Sequence, residues 1–484
     1  MSTEGTWRSR RNAASNGAIP VYRQIYLRIR AAIEAGRLAP GDRVPSARSM
    51  ASERGCARGT VEEAYQLLVA EGYLVRRGAA GSAVSPELAS PAASWRPPPA
   101  RGRRMPSTPK RSVAAPVATQ ASPFLMGVPA LDAFPKAQWT RLAARQSRRL
   151  DGRHLLYPDP LGYAPLRESL ARYLAVGRGI ACAPDQIIIT AGYKGALELA
   201  TLVLLKRGGT VWMEDPGYGI ASDLLSAMGV EVVSVPIDTE GLCVAAAEAM
   251  AAKARLAVVT PSHQFPTCVT MSLPRRQALL DWSERQQSWI IEDDYDGEFH
   301  YAGRPLPALK SIDRGQRVLY AGSFSKTLFP GLRLGYLVLP EQLIPGFGMV
   351  VQRRNTAPAI HLQAVAADFM DEGHFGRHLR RMRKLYGARR AALIDALERT
   401  LGETLQLRVA SGGLHLLAGV VGAKRDTVLA EQARSRGYAL HALSAHCRRA
   451  RAQNALLLPF TNVPEAEALR ICQQLRMAFA HKSR

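Results

Sequence analysis

The sequence predicts a multidomain α/β protein: a small unit of three helices and a two-stranded wing, a linker, and a large α/β domain with a small C-terminal α+β part. Three observations predict this. Residues 19–86 carry three helical periodicities followed by a short hairpin pattern. Residues 87–119 collapse to Pro, Ala, Ser and Arg, which cannot bury enough apolar surface to fold. Residues 120–484 then alternate short apolar runs with helical stretches, the pattern of a largely parallel sheet. At 484 residues the chain also exceeds what one hydrophobic core usually organises.

In the first unit, Tyr22 to Ala35 places Ile25, Ile29, Ala32 and Ile33 on one helical face, and Gly36 ends it. Leu38-Ala39-Pro40-Gly41 reads as a turn. Pro45-Ser46 opens a second helix with Ser46 as N-cap, and Gly55 breaks it. A third helix runs from Arg58 to Ala70, and residues 73–84 form the hairpin. Three helices and a wing make a winged helix-turn-helix. In the large domain, strands are expected at Gln186–Thr190, Val211–Glu214, Leu256–Thr260, Trp289–Glu292 and Val318–Ala321. Helices are expected at Gly195–Leu205 and Arg275–Arg285, and an Arg-rich helix at Gly376–Leu397 opens the C-terminal part.

Composition narrows the class. The 47% apolar and 21% charged content is that of a globular protein, and no apolar run is long enough to cross a bilayer. With no secretory signal at Met1 to Asn16, a cytoplasmic protein without a membrane partner is expected. Six scattered cysteines without a Cys-x-x-Cys pair suggest neither a disulfide framework nor zinc. His374 and His378 have the spacing of two ligands on one helix, but no Glu follows His374, so no metal is expected. The net charge of +24 favours an acidic polymer, and residues 1–118 hold 19 Lys+Arg against 8 Asp+Glu.

The first unit therefore reads as a binder of double-stranded DNA. Arg58 and Thr60, in the first turn of the third helix, are positioned to read base edges. Arg43, Ser46 and Arg48 surround the N-terminus of the second helix, where free N–H groups and the helix dipole suit phosphate. Arg76 and Arg77 arm the wing. Tyr22-x-Gln24-Ile25, Gly36-x-Leu38-x-Pro40-Gly41-Asp42-Arg43-Val44-Pro45-Ser46-x-Arg48, Thr60-Val61-x-x-Ala64-Tyr65 and Glu71-Gly72-Tyr73-Leu74 closely resemble the GntR-type winged helix of bacterial regulators. Ala57 stands where that family often has Ser, and Gly59 where Asn is common.

The large domain carries the parts of a pyridoxal 5'-phosphate site. Lys326 lies in Gly322-Ser323-Phe324-Ser325-Lys326, with Arg333 seven positions later; an amine framed by hydroxyls and a guanidinium suits a phosphorylated aldehyde. Ser323, Ser325 and Arg333 are expected at the phosphate. Ile290-Ile291-Glu292-Asp293-Asp294-Tyr295 reads as a buried strand; if it stays extended, Asp293 and Tyr295 point the same way. Asp293 would then pair with the pyridine nitrogen and Tyr295 would donate to the 3′ oxygen. Tyr218, in Asp215-Pro216-Gly217-Tyr218, is expected to stack on the ring. Thr190-Ala191-Gly192-Tyr193-Lys194-Gly195 reads as a strand-to-helix turn that cups phosphate with Tyr193 and Lys194, and His263 with Gln264 adds polar wall. Each motif alone is weak; their joint order at strand ends carries the reading.

In that order the motifs resemble fold-type I aminotransferases, specifically the MocR/GabR-type regulators that fuse a GntR winged helix to such a domain. The resemblance spans roughly 19–86 and 120–480. It implies a cofactor held through a Lys326 aldimine, with Asp293, Tyr295, Tyr218, Arg333 and Ser323 in the roles above, and a homodimer swapped head-to-tail. It also implies a regulator that responds to a small amine or to the cofactor itself; the alternative is an aminotransferase with an auxiliary DNA-binding domain. Three positions depart from the family. Tyr193-Lys194-Gly195 replaces an Ala-Gln-Gln type of sequence. Ile220 stands where the GABA-responsive regulator has arginine, and Leu457-Leu458-Pro459-Phe460 replaces Arg-Leu-x-Phe. Without those guanidiniums, bidentate recognition of a carboxylate is lost, which argues against GABA as effector.

Overall fold

The computed structural model describes residues 19–78, 81–89, 122–151, 155–205, 207–303, 306–354, 356–450 and 453–480. It divides into two compact units, Met1–Ala115 and Pro116–Arg484. Residues 90–119 of the linker expected at 87–119 lie outside the described residues, as does the wing tip Ala79-Ala80.

In the first unit, α1 (Val21–Glu34) buries Ile25, Tyr26, Ile29 and Ala32, so Tyr26 joins the face while Ile33 is only partly covered. α2 (Ala47–Arg54) starts where the Ser46 side chain accepts the Ser49 N–H at 3.1 Å. It stops at Gly55, whose φ of 61° is left-handed and costs a glycine little. α3 (Arg58–Ala70) turns Val61, Ala64, Tyr65 and Leu68 inward. The Tyr65 hydroxyl donates to the Pro45 carbonyl at 2.7 Å and ties α3 to the approach of α2. The wing pairs β1 (Leu74–Arg76) antiparallel with β2 (Ser82–Val84), and Arg43 bridges to Ala83 along the free side of β2.

The second unit opens with α4 (Lys136–Arg148) and α5 (Ala164–Arg178) and is built on one mixed sheet. Its strands are β3 (Ile187–Thr190), β4 (Thr210–Asp215), β5 (Glu231–Asp238), β6 (Gly241–Leu242), β7 (Leu256–Val259), β8 (Trp289–Asp293), β9 (Val318–Ser323) and β10 (Gly335–Val338). They lie in the order β3-β10-β9-β8-β7-β4-β5-β6. From β9 to β5 neighbours are parallel, while β10 runs antiparallel between β3 and β9. Alternation along single strands divides the burial: Val211 and Met213 face one core, Trp212 the other, and Ile291 and Ile290 do the same. Both faces are thus covered, as a parallel sheet requires. One core packs α6 (Gly192–Leu204) and α7 (Gly219–Ala227); the opposite one packs α8 (Val244–Ala251) and α9 (Leu273–Arg285). The short α10 (Phe324–Thr327) follows β9.

The expected C-terminal α+β part is a second, four-stranded sheet. β11 (Leu405–Arg408), β12 (His415–Val420), β13 (His441–Ala442) and β14 (Ala455–Pro459) lie in the order β11-β12-β14-β13, all antiparallel. The Arg-rich helix runs from His374 to Leu401, longer at both ends than expected. The Asp215 carboxylate accepts the N–H groups of Arg448, Arg449 and Ala450 and so clasps the end of β4 to this part. No helix among the described residues is long and apolar enough to cross a membrane.

Candidate functional site

β3, β4, β8 and β9 all end on one side of the sheet, where ligands of open α/β folds bind. β9 delivers Ser323, and α10 then presents Lys326, whose Nζ donates to the Gly127 carbonyl at 2.8 Å. Burial holds the Lys326 amine below its ordinary pKa, against the pull of Asp293 and Asp296. Asp293 ends β8, buried. Burial pushes its carboxyl well above the usual range, the Tyr193 hydroxyl bonded to it opposes this, and Asp294, Glu214 and Asp296 add to the rise. Such a carboxylate stands among other acids, and a protonated ring nitrogen would offset their charge. This is the observation by which the residues fit a pyridoxal-type cofactor.

Tyr218 caps the start of α7, with its ring centroid 6.3 Å from Tyr193 and 5.9 Å from Phe265. Phe265 in turn lies 6.1 Å from Tyr295, whose hydroxyl is 3.0 Å from His263 Nδ1. At the other end, Arg333 Nη2 donates to the Ala191 carbonyl at 3.0 Å, which holds the guanidinium beside the N-terminus of α6. Gly335 pairs with both Thr190 and Ser323. A Cβ there would come within 2.9 Å of Gly192 Cα, so glycine lets the phosphate-type turn close. Ser323 Oγ accepts the Ser325 N–H at 3.1 Å, and Ser325 is half-buried beside Lys326. Lys194 is exposed in the first turn of α6.

The structure departs from the sequence reading at several residues. α6 begins at Gly192 rather than near Gly195, so Tyr193 lies inside the helix. Its hydroxyl goes to Asp293, which places its polar end with the acid partner and not in the phosphate turn. β8 stops at Asp293; Tyr295 arrives through a bend instead of by strand alternation, because Asp294 turns away to an ion pair with Arg178 and a bond from Tyr320. Gln264 is no part of a wall: its amide donates to Glu214, Pro216 and Phe265, tying its loop to the end of β4. His374 contacts Glu372, while His378 meets the Thr327 carbonyl at 2.9 Å, so the two rings serve different partners. Leu457 is fully buried beside Cys268, and Ile220 is exposed.

Three participants were missed: Gly127, Asp296 and the Cys268–His415 pair. Only Asp296 left a trace, as the third acid of Asp293-Asp294-Tyr295-Asp296. Cys268 Sγ lies 3.2 Å from His415 Nε2; burial works against ionisation, but His415 and His263 draw the thiol down to about 6.

In the first unit, Arg43, Ser46, Arg48, Arg58, Arg76 and Arg77 are exposed and Thr60 half-buried. The Ser46 hydroxyl is engaged as the cap of α2, and Arg58 Nε pairs with Glu62 one turn on at 2.7 Å.

A family model described as aminotransferase class I and II matches residues 130–473, and one described as bacterial regulatory proteins, gntR family, matches residues 21–84. The chain is 36% identical over 476 residues to the probable rhizopine catabolism regulatory protein MocR of Rhizobium meliloti, covering 95% of this chain and 94% of that protein. It is 31% identical to the pyridoxine biosynthesis transcriptional regulator PdxR of Corynebacterium glutamicum, covering 90% and 91%. Among solved structures, the kynurenine aminotransferase of Pyrococcus horikoshii in complex with PMP superposes with a TM-score of 0.67 at 28% identity, covering 74% of this chain and 91% of that one. The aminotransferase class I and II fold is pyridoxal phosphate-dependent.

Proposed function

Since this chain belongs to the MocR-type regulators of the GntR family, which join a gntR helix-turn-helix to an aminotransferase class I and II domain, we propose that it is a transcriptional regulator that binds double-stranded DNA through residues 19–86 and pyridoxal phosphate through Lys326. A small amine, or the cofactor itself, is the signal; one relative is named for pyridoxine biosynthesis. The observation that carries this is the gathering of Lys326, Asp293, Tyr295, Tyr218 and Arg333 around the carboxyl ends of the central strands in a chain that opens with a winged helix.

The bound cofactor supplies an aldehyde that takes amines and a ring that withdraws electrons. Lys326, its pKa lowered by burial, presents an amine that sheds its proton readily. Asp293 holds the proton of a ring nitrogen, and Tyr295 donates to the 3′ oxygen. Tyr218 covers a ring face. Arg333, Ser323, Ser325 and the N–H groups of α6 hold phosphate, with Lys194 at the rim. Since Ile220 and Leu457 offer no guanidinium, an effector amine need not carry a carboxylate. Leu155, Leu156 and Tyr157 are 75%, 70% and 89% exposed in one run, which supports a homodimer that covers them.

The test is to titrate candidate amines and free pyridoxal phosphate into the purified protein, following its visible absorbance together with its affinity for the DNA upstream of neighbouring genes. Binding that is specific, dimeric and steeply salt-dependent is expected. Absence of specific binding at every such site would sink the regulatory reading. The structural likeness to aminotransferases keeps an enzymatic alternative; sustained turnover with a keto-acid acceptor would establish it.

A further inference from the structure

Beside His263 lies a cavity of about 170 Å³ whose polar lining includes Asp296, Arg178, Ser262 and His300, with Phe299 and Gly412-Gly413 also on its wall. Arg178 Nε, His300 Nε2, His263 Nε2 and Asp296 Oδ2 are buried there without a hydrogen-bond partner in the protein, so the contact of Asp296 with His263 is one of charge at ion-pair distance. Polar atoms in an interior are normally paired, so the space suits water. His263 forms the wall between this cavity and Tyr295. Its Nδ1 is 3.0 Å from the Tyr295 hydroxyl and 3.1 Å from Asp296 Oδ2. The ring is fixed by Gly413, where a Cβ would come within 2.0 Å of His263 Cε1.

One ring nitrogen thus faces two oxygens, and it can either donate or accept, but not both. If Nδ1 carries no proton, the Tyr295 O–H turns back to it and offers only lone pairs on its other side. If Nδ1 is protonated, it donates, and the Tyr295 O–H is left free to donate away from His263. The Asp296 carboxylate, 2% exposed, favours the second state by attracting a proton to Nδ1.

We propose that Asp296 is a positioning residue which, acting through His263, turns the Tyr295 hydroxyl into a donor toward the 3′ oxygen of a bound pyridoxal phosphate. This rests on the cofactor reading above. Electrostatics run the same way: burial opposes protonation of His263, but Asp296 and then Cys268 outweigh it and hold the imidazole well above its ordinary pKa. The other titratable neighbours are His415, with its ring centroid 5.6 Å away, and Tyr295 itself, whose hydroxyl burial pushes well up, with Asp296 adding to the rise by charge and by direct contact, and Cys268 and Asp293 by charge. Arg178, also on the cavity wall, is committed to Asp294.

The experiment is a pH titration of the visible absorbance of the holoprotein, with cofactor affinity measured in parallel. A donor at the 3′ oxygen stabilises its ionised form, so Asp296→Asn is expected to raise the midpoint by about one pH unit, a tenfold change. Asp296→Glu should restore it, and Tyr295→Phe should abolish any further effect of Asp296→Asn. His263→Gln, a second route should Asp296→Asn not fold, is expected to move the midpoint the same way. A midpoint indifferent to both Asp296→Asn and His263→Gln overturns the proposal, as does a shift that persists undiminished in Tyr295→Phe. A wild-type protein that develops no cofactor absorbance would overturn the cofactor reading itself, a distinguishable result.

Discussion

In the winged-helix unit, the side chains expected at DNA stand in solvent and are held by partners close in sequence: Ser46 by Ser49, Arg58 by Glu62. In the second unit, the groups at the strand ends are held by partners far along the chain, and all but the exposed Arg333 and Lys194 are buried or half-buried. Lys326 is tied to Gly127, Arg333 to Ala191 and Tyr295 to His263. A local, exposed group can be lost with little harm to its neighbours. A buried group held from a distance leaves an unpaired partner behind, and that partner adds its own desolvation cost. The contrast separates substitutions that change recognition alone from those that change recognition and fold together.

The largest expected effect is that of Lys326→Ala, which should remove the covalent cofactor absorbance completely while basal DNA affinity and its salt slope stay as in wild type; a parallel loss of DNA binding would break the contrast. Next comes Asp293→Ala. Removing the acid partner of the ring nitrogen should weaken cofactor retention by about 3 kcal/mol, on the order of a hundredfold, measured by equilibrium dialysis. Arg58→Ala should cost about 2 kcal/mol at one operator position and relax specificity there, with the melting temperature unchanged. Arg76→Ala should instead weaken all sequences alike and flatten the salt slope by about 1.

The last effect concerns pH. Burial, then His441 and His415, push the His446 imidazole down to about 4 from an ordinary 6.5. A histidine kept neutral by the fold contributes stability that is full above 6.5 and fades as pH falls toward 4, because the unfolded chain binds the proton first. Across that window His446→Asn should lose on the order of 2 kcal/mol less than wild type, read from denaturation at several pH values. An equal loss would show that His446 is not the group responsible.

What was legible in the sequence follows the same division. Caps, turns and helical faces of the first unit are short-range, and Ser46, Gly55 and Arg58–Ala70 fall where the local chemistry puts them. The site strands were visible as apolar runs, and Lys326 and Asp293 as polar residues at their ends. The direction of β10, the bend that carries Tyr295, and the Tyr193–Asp293 bond were not, since each depends on contacts between distant segments. Gly127 could not have been singled out: its part in the site is a backbone carbonyl, which every residue possesses.

That carbonyl has a consequence for the lysine itself. Gly127 lies in the first described segment of the second unit, so the Lys326 amine fastens that segment to α10. The nitrogen cannot serve a carbonyl and a new covalent partner with the same geometry. Chemistry at the lysine and its bond to the Gly127 carbonyl are therefore competing uses of one atom.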